Sequence, residues 1–211
     1  MTRLSFIRSP FTASFRLLIM AFAVMQLFSS CKRKKICPAF SYSNYDAWFP
    51  YTEGRKLMYM NARQDKDSII IFQNSRSAAT EKEWGWWASE PRCSMESEIR
   101  GGQGYTYLEI ECDLKEEDKF IRASIGDFTV VGQSIDDTGL VLDPTRMKNA
   151  GYKSTYHSSL NLNGKTYPAV QLFERDTTLI QMEGVCRMYL SKENGIIAYE
   201  KYPSHELWVK Q

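Results

Sequence analysis

Apolar and polar positions alternate in short runs along most of the chain, and turn residues break the runs at intervals of about 8–12 residues, the spacing of consecutive short strands. Residues 56–61 and 67–73 read as two strands around the polar turn 62–66. Ile69, Ile70 and Ile71 are β-branched and the run is too short for a helix. Strands are expected at 118–124 and 127–133 around Ile125-Gly126. Asn163-Gly164 between 159–162 and 166–173 is a strong two-residue hairpin signal. Residues 179–190 and 196–202 flank Lys192-Glu193-Asn194-Gly195, and 206–209 closes the chain. The stretch 135–158 carries turn signals but no period, with a short helix at most over 145–150. The pattern predicts an all-β fold: an antiparallel sandwich or half-open barrel of about ten strands, with at most one short helix.

One hairpin makes a sharper prediction. Residues 92–100 and 105–113 flank Gly101-Gly102-Gln103-Gly104. If Arg100 faces Tyr105, Cys93 faces Cys112 on one side of the sheet, because side chains alternate along a strand. Directly opposed Cβ atoms are about 4.5–5.5 Å apart, close to disulfide distance. The same register sets Glu96 against Glu109, which is unfavourable.

The first thirty residues follow a different pattern. Arg3, Arg8 and Arg16 precede an almost wholly apolar run of twelve residues, Leu17 to Phe28. A membrane-spanning helix needs roughly 20. A basic region, a short apolar region and small residues at Ser29-Ser30 read as a secretory signal. Leu27-Phe28-Ser29-Ser30-Cys31 resembles the lipobox of bacterial lipoproteins, in its looser Ser-Cys form. The resemblance implies cleavage before Cys31, diacylation of its sulfur and acylation of the new amine. Lys32-Arg33-Lys34-Lys35 would then sit against anionic headgroups, or serve only as a solvated tether. The expected organisation is a signal peptide at 1–30, a lipidated cysteine and linker at 31–47, and one β-rich domain at 48–211. In Bacteroidota, surface export of lipoproteins is linked to acidic residues after the cysteine, so the basic run points to the periplasmic face of the outer membrane.

Charge changes the picture once the leader is set aside. The formal net charge of the 211-residue chain is +2, but without the three leader arginines 24 basic residues stand against 25 acidic ones. Without the four of the tether, 20 stand against 25. A mildly acidic body argues against a nucleic-acid partner. Five tryptophans and twelve tyrosines supply large rings for a core. With Cys31 assigned to lipid, Cys37, Cys93, Cys112 and Cys186 remain, an even number in an oxidising compartment. If Cys93 pairs with Cys112, Cys37 is left for Cys186, and both of the latter could also be free. No C-x-x-C or Cys/His spacing suggests a metal, and no cofactor is implied.

Trp48-Phe49-Pro50-Tyr51 with Gly54, and the ending from Cys186-Arg187-Met188-Tyr189-Leu190 through Asn194–Glu200 to Leu207-Trp208-Val209, resemble the start and end of Bacteroidota envelope lipoproteins. The resemblance implies a lipid-anchored β domain with no assigned activity.

Candidate chemistry is sparse. His157 and His205 are the two histidines, and neither has a carboxylate or nucleophile at a revealing spacing; no G-x-S-x-G elbow is present. Trp84, Trp86 and Trp87 would form a platform for sugar rings or headgroups if exposed, and core if buried. Glu96, Glu98, Glu109 and Glu111 crowd one hairpin face and read as a solvated surface more than a calcium site. The expectation is a non-enzymatic, lipid-anchored envelope protein that binds an envelope partner or an apolar or glycan ligand. The alternatives are a structural subunit of an envelope complex and a hydrolase using His157 or His205.

Overall fold

A computed structural model describes residues 42–211 except 78–79, 83–91, 104–105, 116–118 and 181–182. Cys31, Cys37 and Trp84, Trp86 and Trp87 lie outside the described residues. The chain forms α1 (Ser43–Trp48), β1 (Lys56–Met60), β2 (Lys66–Arg76), β3 (Thr80–Lys82), β4 (Arg92–Gln103), β5 (Thr106–Lys115), β6 (Lys119–Ile125) and β7 (Phe128–Asp136). It continues with β8 (Gly139–Leu142), α2 (Pro144–Ala150), β9 (Tyr152–Leu162), β10 (Lys165–Arg175), a 3-10 turn (Thr177–Leu179), β11 (Gly184–Ser191), β12 (Gly195–Tyr202) and β13 (Glu206–Lys210).

The fold is all-β. Twelve strands run antiparallel in the order β8-β7-β6-β5-β4-β2-β1-β13-β12-β11-β10-β9, and the sheet curls into a nearly closed barrel. β3 pairs with β4 beyond the end of β2. The strand count is higher than the expected ten, because β8 and a long β9 occupy the stretch that carried no period. Among the described residues there are two short α-helices instead of one.

Every strand of the path sends at least one side chain into a single buried cluster. Tyr59, Phe128 and Phe173 fill the interior together with Trp48 and Phe49 from the N-terminal side. The segment 43–47, read from sequence as linker, is therefore part of the body. α1 has only six residues and would not hold alone. Tertiary bonds fix it: Trp48 Nε1 donates to Asp136 O at 2.8 Å, and Asn74 Nδ2 donates to Tyr51 O at 2.7 Å just beyond it. A second cluster, with Tyr167, Val170, Ile197 and Val209, covers the opposite face of β9–β13.

The β4–β5 hairpin corrects the expected register. Ser97, not Cys93, faces Cys112, and Cys93 pairs in backbone register with Glu81 of β3. Cys112 is a buried free thiol. The predicted faces hold, since the shift is an even number of residues. The cause is that Gly101 and Gly102 continue the strand instead of turning. A Cβ at Gly101 would meet Ile71 Cδ1 at 2.8 Å and Ile69 Cγ2 at 2.9 Å, so the glycine admits these isoleucines. The observed register also sets Arg100 against Glu109, with Nε and Oε1 at 3.2 Å. Arg122 reaches Glu111 at 2.9 Å. Arginines thus interleave with the acidic face.

Candidate functional site

The chemistry collects at a cleft of about 580 Å³ beside the ends of β9–β12. Its floor is the outer side of the barrel. Phe173, Met188 and Tyr199 belong to the interior cluster, so their strand neighbours Glu174, Arg187 and Glu200 point the other way. Register places Glu174 opposite Lys153 and Arg187, and Arg187 opposite Glu200.

These positions form a chain of alternating charge. Lys153 Nζ lies 3.2 Å from Glu174 Oε2. Arg187 Nε lies 3.0 Å from Glu174 Oε1, and Arg187 Nη1 lies 2.9 Å from Glu200 Oε2. Glu200 Oε1 turns away from the arginine, to His205 Nδ1 at 2.7 Å. Burial works against the Glu174 carboxylate, but hydrogen bonds from Lys153 and Arg187 hold it below its usual range. The bond to Glu200 raises the Arg187 guanidinium further.

Two backbone irregularities complete the site. Between Val185 and Arg187 the β11–β12 register shifts by one residue, so Cys186 is the extra residue of a bulge. A bulge redirects a side chain out of strict alternation. Here the Cys186 thiol faces Glu200, with Sγ 3.4 Å from the Glu200 carbonyl oxygen and 3.7 Å from Oε1. His205 follows in the β12–β13 turn at φ +53°, a left-handed conformation uncommon outside glycine. Its ring meets the Tyr202 ring edge-on, with centroids 5.8 Å apart.

Cys186, Glu200 and His205 thus present a sulfur, an oxygen and a nitrogen within 4.8 Å of one another. The donor set suits a transition-metal cation. It suits a nucleophilic cysteine less well. Burial and the neighbouring Glu200 charge push the Cys186 thiol up to about 11, whereas a reactive cysteine has a lowered pKa. The adjacent Ser204 hydroxyl donates to Lys201 O.

Of the residues singled out by sequence, the site brings together Cys186 and His205. Cys186, expected opposite Cys37, is a free thiol in the cleft wall. His157 lies on β9 opposite Val170 and does not line the cleft. Glu200, Arg187 and Glu174 were missed as site residues. Folding β11 back on β12 about the turn 192–194, from Ser191 opposite Gly195, would set Arg187 opposite Tyr199; the register shift between Tyr189 and Leu190 brings it opposite Glu200 instead, and no local signal announces that shift.

No family model, no curated protein and no solved structure matches this chain.

Proposed function

We propose that the chain is a lipid-anchored envelope protein that acts by binding, with the cleft beside Glu174, Arg187 and Glu200 as its ligand site. The observation that carries this reading is the charge ladder from Lys153 to His205, set on four adjacent strands and the turn after the last. Side chains held by strand register and by mutual hydrogen bonds are preorganised for recognition. The cleft volume of about 580 Å³ falls within the range of small-molecule sites. Cations from Lys148, Lys153, Arg175 and Arg187 share its lining with Glu174, Asp176 and Glu200. That mixture favours a small polar ligand over an apolar one. The filled interior supports the same choice, because Trp48, Tyr59 and Phe173 occupy the space a lipid carrier would leave open.

The anchor rests on Leu27–Cys31 and the apolar run before it. A second reading, an accessory subunit of an envelope complex, draws on one observation. Ile70, Phe72 and Tyr107 are exposed, and Ile70 and Tyr107 flank Gly102 in one row across β2, β4 and β5.

The test compares the full chain with Cys31→Ala and Lys153→Glu. Membrane fractions are prepared, the protein is captured in mild detergent, and co-purified small molecules are identified by mass spectrometry. The expected result is release of Cys31→Ala from the membrane, and a bound molecule lost from Lys153→Glu. Unchanged membrane retention of Cys31→Ala overturns the anchor. A bound molecule indifferent to Lys153→Glu overturns the cleft.

A further inference from the structure

We propose that Cys186, Glu200 and His205 bind a thiophilic divalent cation of the zinc class. This deepens the cleft reading, whose failure is read separately in the Lys153→Glu capture. The geometry is close to what the ion needs. Tetrahedral zinc holds sulfur at about 2.3 Å and nitrogen or oxygen at about 2.0–2.1 Å, which sets sulfur about 3.5 Å from oxygen and nitrogen about 3.3 Å from oxygen. Cys186 Sγ already lies 3.7 Å from Glu200 Oε1. His205 Nδ1 lies 2.7 Å from the same oxygen and must retreat by about 0.6 Å to admit the ion. That movement falls to a side chain 57% exposed at a turn.

The way the three residues are held separates them from a chance cluster. The bulge at Cys186 turns the thiol to the carboxylate instead of into the core. Arg187 takes the second oxygen of Glu200, Glu174 takes Arg187, and Lys153 takes Glu174. Such outer partners fix the orientation of a metal-ligating carboxylate. His205 takes φ +53° in the turn after β12, and its Nδ1 lies 2.7 Å from Glu200 Oε1.

The charge also balances. On binding, the Cys186 S–H bond breaks, a sulfur–metal bond forms, and the proton leaves to solvent. Thiolate and carboxylate together neutralise a divalent ion. A thiolate ligand selects zinc over magnesium or calcium, which prefer oxygen. Three protein ligands leave a fourth position toward the cleft, the arrangement of zinc centres that take water or an outside ligand.

The test uses the full chain in detergent, reduced and stripped with a chelator, then titrated with cobalt(II) and afterwards zinc(II). The expected result is one cobalt per chain with a thiolate-to-cobalt charge-transfer band, abolished by zinc. The band disappears in Cys186→Ser and in His205→Asn, which keeps a residue tolerant of the left-handed backbone. It persists in Cys112→Ser. Circular dichroism confirms that each variant is folded. Absence of the band, its survival in folded His205→Asn, or a Cys37–Cys186 disulfide in the native protein overturns the metal site. A chain that takes no cobalt yet returns a Lys153-dependent molecule overturns the metal site alone.

Discussion

The Gln171 carboxamide makes two antiparallel hydrogen bonds to the backbone of Leu140, accepting from its N–H at 2.7 Å and donating to its carbonyl at 2.9 Å. This is the exchange that two facing residues make in an antiparallel ladder. β8 and β9 are the ends of the strand path, and no ladder joins β8 to β10. A side chain therefore serves as the missing strand at the seam. Gly139 makes room for it, since a Cβ there would lie 2.2 Å from Gln171 Oε1.

Replacing Gln171 with Leu keeps the bulk and leaves the Leu140 N–H and carbonyl unpaired in a buried setting. Each unsatisfied group costs about 1–3 kcal/mol, so with two of them the variant should lose about 2–6 kcal/mol in urea unfolding. The Leu140 amide should also exchange faster than its neighbours. A loss under about 0.5 kcal/mol, the scatter of neutral surface changes, would show that the seam does not need this contact.

Trp48 carries the second prediction. It is fully buried and its indole N–H is bonded to Asp136. Trp48→Ala should cost about 3–5 kcal/mol, as for other buried aromatics. A side chain at this position that did not pack into the barrel would cost almost nothing. Thermal unfolding of the two chains side by side decides between them.

The fold class was legible because its signals are local. Asn163 and Gly164 both take positive φ in the β9–β10 turn, as an Asn-Gly hairpin requires. Ile69 and Ile71 point inward at alternate positions. What the sequence hid depends on distant partners. β9 is an edge strand rich in Ser, Thr and Tyr with mostly exposed positions, so it carries no apolar alternation. Gly101-Gly102 reads as a turn until Ile69 and Ile71 are placed beneath it. α1 gains its stability from the barrel it enters. In the site, Arg187 and Glu200 look like ordinary surface charges in sequence. The register shift between Tyr189 and Leu190 sets Arg187 against Glu200, and the bulge at Cys186 and the turn at His205 bring a thiol and an imidazole to the same carboxylate.

Cys112 tests the corrected hairpin. It faces Ser97, and burial pushes its thiol up to about 12. A soluble alkylating reagent should leave it unmodified in the folded protein and label it after unfolding without reductant. Cys112→Ala should then cost about 1 kcal/mol, the order of a typical single substitution, because no crosslink is lost. Loss of a native disulfide would instead cost about 2–5 kcal/mol. A peptide joining Cys93 to Cys112 in a non-reducing digest would reinstate the register the structure replaces.

Lys210 supplies a prediction about pH. Burial, with the nearby charges of Arg55 and Lys165, lowers its ammonium to about 8. Its Nζ donates to Asn194 O and lies 5.9 Å from the Tyr51 ring centroid. In the unfolded chain a lysine titrates near 10.4. Below about pH 8 both states hold the proton and the folded state bears the whole cost of burying the charge. As pH rises from 8 towards 10.4, the folded state sheds its proton first and that cost is relieved, so stability rises. The full relief is roughly 2–3 kcal/mol. Burial raises Tyr45, Tyr51, Tyr59 and Tyr199 instead, so above about pH 10, where unfolded tyrosines ionise, stability falls again. Between pH 8 and 10 the buried thiols of Cys112 and Cys186, raised to about 12 and about 11, act against the lysine, because unfolded cysteines ionise at about 8.5. Urea unfolding from pH 8 to 10 should therefore show stability falling more steeply with pH in Lys210→Met than in the native chain, the difference between the slopes being the lysine's share. Equal slopes in the two chains would mean that Lys210 keeps its proton as readily folded as unfolded.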